Sequence, residues 1–192
     1  RDVLQIDMTT KIFNYNLKMP VFYAPIGSMQ DFVKNGALCS SLSAKKNKIL
    51  HMLSSTWSGG VDLIGNKVTN YPKIYQLYIR GDENWVDDHI QKAIDNGFIA
   101  LCLTVDLDAY GRRERDLSKR YKTTSRKTAS APEYQMRFSW KDVERIKNKF
   151  NIPLILKGIA TSEDARLALE NGIDVIYISN HGGRQLDHGL GG

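Results

Sequence analysis

Six short apolar runs, separated by stretches of helical periodicity, constrain this chain more than any other feature. They are Val21 to Ala24, Ile49 to Leu53, Ile74 to Ile79, Phe98 to Val105, Pro153 to Leu156 and Val175 to Ile178. Each is strand-length and rich in β-branched, leucine or aromatic residues, which suits a strand buried on both faces. Val86, Ile90, Ala93, Ile94 and Gly97 fall on one helical face, with Asn96-Gly97 as its stop. Trp140, Val143, Ile146 and Phe150 repeat that spacing behind Ser139, a suitable N-cap. A third helix is expected to start at Thr161-Ser162, run through Ala165, Ala168 and Leu169, and end at Asn171-Gly172. Strands alternating with helices imply a parallel sheet, because each crossover helix returns the chain to the same sheet edge.

An internal repeat narrows the choice. Ala93 to Gly97, leading into Leu103 to Asp106, aligns with Ala168 to Gly172, leading into Ile178 to His181, at a constant offset of 75 residues (93 to 168, 106 to 181). The aligned strands are the fourth and sixth of the series. In a (β/α)8 barrel the inward side chains of alternate strands share a layer, so Asp106 and His181 are expected to face each other across the mouth. Period-two alternation places Thr104 with Asp106, Ser179 with His181, and Gln76 with Tyr78 on one face. Polar groups then collect at the C-terminal strand ends, where barrels of this type keep their active sites.

At 192 residues, with 42% apolar and 25% charged side chains, residues 1–192 read as one soluble α/β domain. No apolar run approaches the ~20 residues of a membrane span, and Arg1-Asp2 opens no signal peptide, so a cytoplasmic location is expected. Cys39 and Cys102 lack metal-ligand spacing and are expected to be reduced, buried and structural; no metal site is expected. The net charge of +6 is local. Between Gly111 and Lys127 lie eight basic residues against Glu114 and Asp116, leaving the remainder of the chain balanced. One basic loop suggests an anionic ligand, an acidic partner or a membrane surface. Nucleic acid is disfavoured, since Tyr121 is the single aromatic among those charges.

The chemistry-bearing residues stand where the strands end. The stretch Ser179-Asn180-His181-Gly182-Gly183-Arg184-Gln185-Leu186-Asp187 puts an imidazole and a guanidinium behind a strand. Imidazole exchanges a proton near neutral pH, and a guanidinium grips a carboxylate through two parallel hydrogen bonds. Asp106 opposite His181 would stabilise the imidazolium, and Lys157, behind Leu154 to Leu156, adds a cation between those strands.

Together with Leu103 to Asp106, Gly111 to Glu114, Gln76 to Tyr78, Leu53 to Ser55, Ala24 to Ser28 and Leu156 to Gly158, that stretch resembles the FMN-dependent α-hydroxyacid oxidase and dehydrogenase family. The resemblance implies a TIM-type (β/α)8 barrel, FMN as cofactor, and oxidation of an L-2-hydroxy acid, as in glycolate oxidase, lactate oxidase and mandelate dehydrogenase. Position by position it implies His181 as base and Asp106 as its support, with Arg113, Arg184 and Tyr78 on the substrate carboxylate. Spacing alone leaves Arg112 open beside Arg113. Backbone at Pro25, Ile26 and Gly27 would lie against the flavin, with Ser54, Gln76, Thr104, Lys157 and Ser179 around its ring and ribityl chain. About six of eight βα units are expected here, with an N-terminal segment and the last two units outside the sequence. The family also implies a homo-oligomer, an acceptor left open among oxygen, quinone and protein, and membrane-surface contact through 111–127. Two rivals stand beside this reading: a non-catalytic relative acting as an interaction module through its basic loop, and another FMN barrel enzyme such as an isomerase.

Overall fold

The structure, a computed structural model, describes residues 4–107, 111–127 and 131–192. Six strands form one parallel sheet in chain order: β3 (Phe22–Tyr23), β4 (Leu50–Ser54), β5 (Ile74–Leu77), β6 (Ala100–Thr104), β7 (Leu154–Ile159) and β8 (Val175–Ile178). Between them run α1 (Gly36–Asn47), α2 (Gly60–Lys67), α3 (Glu83–Asp95), α7 (Trp140–Lys149) and α8 (Ser162–Glu170). The sheet curls until Phe22 on β3 and Tyr177 on β8 meet edge to face, ring centroids 5.6 Å apart. This is a partial barrel of the expected α/β type. The first run is shorter as a strand than its apolar length suggested, since only Phe22 and Tyr23 pair with β4.

Helix ends follow the expected local chemistry. Asp82 caps α3 by accepting from Trp85 N at 2.9 Å, and Thr161 caps α8 by accepting from Asp164 N at 3.1 Å. Ser139 and Asp142 form a capping box at the start of α7. The repeat survives in three dimensions: Gly97 and Gly172 both take left-handed φ, 71° and 68°, after Asn96 and Asn171. Phe98 N and Ile173 N then bond back to Ala93 O and Ala168 O, both at 3.0 Å, so the two helices hand over to their strands identically.

Two cores result. Outward residues such as Leu53, Leu77, Leu101, Leu103 and Leu156 pack on the helices. Inward residues Leu50, Met52, Ile74, Ala100, Cys102 and Ile155 fill the barrel. A hairpin absent from the sequence reading, β1 (Thr10–Ile12) and β2 (Tyr15–Leu17), brings Leu17, Ile12 and Phe13 onto that inner core. Its Phe13-Asn14 turn has φ of 45° and 67°, the geometry of a tight hairpin, without the glycine that normally announces one.

Six of the eight basic residues of the 111–127 region are exposed to solvent, with Arg113 and Arg126 half-buried. The region contains α4 (Glu114–Ser118) and α5 (Thr124–Lys127), and α6 (Glu133–Arg137) follows. The cysteine reading holds for Cys102, whose thiol burial pushes up to about 12, but Cys39 is exposed. On α1 the sheet-facing positions are Ala37, Ser41 and Ala44, which turns residue 39 to solvent. Among the described residues, no helix is long and apolar enough to cross a membrane.

His51 on β4 is 3% exposed, and its Nδ1 lies 2.6 Å from Ser41 Oγ on α1. Burial lowers its pKa from 6.5 to about 4. The unfolded chain therefore binds more protons between those values, and stability falls as pH drops through that window. Urea unfolding at pH 7.5 and 4.5 should show the protein losing on the order of 2 kcal/mol more than His51→Asn over that interval. Equal losses would remove His51 as the cause.

Candidate active site

The inward parity of the strands turns polar at their C-terminal ends. Ser54, Gln76, Thr104 and Lys157 are all buried there, with Ser54 paired in register with Gln76 and Thr104 with Lys157. Gln76 Nε2 donates to Thr104 Oγ1 at 2.8 Å, while Gln76 Oε1 is buried without a partner. An acceptor orphaned in such a place costs about 1–3 kcal/mol unless a ligand donates to it. A polar heterocycle with N–H groups meets that need.

One step further out, His181 Nδ1 lies 2.8 Å from Asp106 Oδ1, the side chains 17% and 12% exposed. The carboxylate can only accept, so Nδ1 carries the hydrogen and Nε2 keeps its lone pair. Tyr78 OH is 3.5 Å from that Nε2. Lys157 Nζ donates to Ser179 Oγ at 3.1 Å and stands 3.8 Å from Asp106 Oδ2. Ser179 Oγ in turn accepts from His181 N at 3.0 Å, so the serine joins cation to turn. His181 itself has φ of 58°, followed by Gly182 and Gly183 at 70° and 65°. Three consecutive left-handed residues require glycine wherever no side chain is needed, and the strain falls on the histidine.

Two residues that sequence reasoning missed hold this arrangement. Gly158 has φ of 114° in a bulge of β7, and a Cβ there would lie 2.6 Å from Asp106 Cβ. Only glycine lets Asp106 seat so closely. Gln135 on α6, 5% exposed, donates to Thr104 O at 2.9 Å and accepts from Ile79 N at 2.8 Å, tying together the ends of β5 and β6. No periodicity or motif marks a glutamine for that bridge.

The arginines separate by position. Arg112 is exposed and paired with Glu114 at 2.6 Å, whereas Arg113 is half-buried with its Nε lacking any partner. Burial, then the charges of Arg126 and Arg184, push the Arg113 pKa down, while Asp116 and Tyr78 oppose the shift. Arg184 is exposed on the loop after β8. The two arginine loops touch at Gly111, whose N donates to Gln185 Oε1 at 2.9 Å, and where a Cβ would strike the Arg184 carbonyl at 1.9 Å. Across the mouth, Pro25 is buried, Gly27 half-buried and Ile26 exposed in the connection after β3. Gly27 presses on Thr56, whose Oγ1 a Cβ would approach to 2.6 Å. A cavity of about 550 Å³ opens at the opposite end of the sheet, but Lys73 there is spent on the carbonyls of Val68 and Gly97, both at 3.2 Å.

Replacing Gln135 by Leu keeps the volume and strands one N–H and one C=O. Chemical unfolding should show a loss of about 2 kcal/mol or more. An unchanged midpoint would show that the bridge contributes nothing.

A curled parallel sheet with a polar ring and an imidazole–carboxylate pair at its C-terminal strand ends has the layout of a TIM-barrel active site. The sequence model described as FMN-dependent dehydrogenase matches residues 1–191, and the chain belongs to that family, whose cofactor is FMN. It is 31% identical to glycolate oxidase 3 of Arabidopsis thaliana over 97% of this chain and 56% of that protein. A crystal structure described as a lactate oxidase of Pediococcus acidilactici superposes with a TM-score of 0.88 at 28% identity, covering 96% of this chain and 54% of that one. A mandelate oxidase crystallised with (S)-2-phenylpropionate gives 0.86 at 30%, covering 97% and 55%. The chain thus spans about half the length of the relatives it matches.

Proposed function

We propose that this chain carries the substrate-binding and proton-handling half of an FMN-dependent enzyme that oxidises an L-2-hydroxy acid to the 2-oxo acid. The observation that carries the reading is the 2.8 Å His181–Asp106 pair, with Tyr78 3.5 Å from the other ring nitrogen and a half-buried Arg113 whose Nε has no partner. Bound FMN supplies the two-electron acceptor for that oxidation. Buried Ser54, Gln76, Thr104 and Lys157, Ser179, and the backbone at Pro25, Ile26 and Gly27 are the residues that would hold it, the orphaned Gln76 Oε1 and the Lys157 ammonium matching a heterocycle that gains negative charge.

Oxidation of the substrate releases two protons and two electrons; one proton goes to His181, and the other would leave with both electrons to the bound flavin. His181 Nε2 accepts one proton, from the α-carbon or its hydroxyl, and the Asp106 carboxylate at Nδ1 stabilises the imidazolium that forms. Arg113 and Arg184 clamp the substrate carboxylate, and Tyr78 OH donates to it. The basic segment favours the enzyme over an interaction module, because it folds back on the barrel: Thr124 N donates to Asp31 at 2.7 Å and Ser125 N to Ser28 Oγ at 3.1 Å.

His181→Gln should stay yellow while anaerobic bleaching by an L-2-hydroxy acid slows by about 10²–10⁴, the range of a lost general base. Bleaching at an undiminished rate would take the base role from His181.

A further inference from the structure

We infer that the substrate carries a second anionic group, making it a 2-hydroxy dicarboxylate, and that Arg126 receives that group. The inference rests on the hydroxy-acid reading above. Arg126 lies on α5 and is half-buried, with Nη2 3.5 Å from Gly111 O, the residue where the Arg113 and Arg184 loops meet. Its position is fixed by anchors on the turn after β3. Asp31 accepts from Thr124 N, from Thr124 Oγ1 in a short bond, and from Tyr121 OH at 3.5 Å, while Ser28 Oγ accepts from Ser125 N.

Arg126 and Arg184 both lie near enough to Arg113 for their charges to push its pKa down, and Asp116 opposes them. Among the described residues, none of the three has a carboxylate within 4.0 Å. Arg80 is a fourth nearby cation but is engaged, lying 5.7 Å from the Tyr78 ring and donating to Ser125 O at 3.4 Å. In the reading above, one carboxylate is held by three groups, Arg113, Arg184 and Tyr78. A third half-buried guanidinium only adds repulsion to that clamp unless a second anion offsets it. Among the described residues, the one bond its guanidinium makes, to the Gly111 carbonyl, is at the limit of length and leaves most of its five donors unspent.

The test uses product analogues, so no turnover is needed. Calorimetric titration of the FMN-loaded protein compares 2-oxoglutarate with 2-oxovalerate, and oxaloacetate with 2-oxobutyrate, pairs that differ by a terminal carboxylate in place of a methyl. The dianion of at least one pair is expected to bind about tenfold more tightly, the size of one charge-assisted hydrogen bond. Arg126→Gln should narrow that ratio to within about twofold, and Arg126→Lys should keep part of it. A ratio near one for both pairs in the unmodified protein, or a ratio that survives Arg126→Gln, overturns the inference. Arg113→Gln reads the underlying function separately. It should weaken all four ligands together, and unchanged binding there would remove the carboxylate clamp while leaving the Arg126 ratio to be judged by itself.

Discussion

Parallel pairing of six strands in unbroken order is the constraint from which everything else in this protein follows. Because side chains alternate across a strand, one register decides at once which residues face the helices and which face the barrel interior. The interior column begins apolar, at Leu50, Ile74 and Ala100, and ends polar, at Ser54, Gln76 and Thr104. The hairpin packs on the apolar end through Leu17. The polar end is left for chemistry: bonds within the ring offset part of the cost of burying it, and Gln76 Oε1 is left without a partner.

The repeat explains why the decisive pair forms at all. Asp106 and His181 occupy equivalent positions in two βα units, each launched by an Asn-Gly helix stop with a left-handed glycine. Strands two apart bring equivalent positions to the same height on the barrel mouth. The 2.8 Å contact also needs the Gly158 bulge, which makes room behind Asp106, and the left-handed turn at His181 to Gly183. Strain in that turn is tolerated because Asp106 and Tyr78 hold the imidazole and Ser179 Oγ accepts from the His181 backbone N.

A basic loop can be a solvated tail or a working part, and here a single carboxylate decides. Asp31 collects three donors from residues 121–124 and keeps the segment against the turn after β3. With its backbone fixed, the segment holds Arg126 against the Gly111 carbonyl and keeps Arg113 half-buried, while Arg112 turns out to Glu114.

The sequence by itself determined what is local: the order of strands and helices, the helix starts at Ser139 and Thr161, the Asn-Gly stops, and the parity that puts Gln76, Thr104 and Asp106 on one face. Those follow from hydrogen bonds and sterics within a few residues, so composition and spacing expose them. Only the tertiary structure decided what depends on distant segments. Gln135 bridges strand ends 56 and 31 residues away, Gly158 is read as a spacer for Asp106 only once β6 lies beside it, and Asp31 meets Thr124 across 93 residues. The half-burial of Arg113 beside an exposed Arg112 and the exposure of Cys39 belong with these. Each turns on which face of a segment meets its neighbour, a question settled by packing and not by any pattern along the chain.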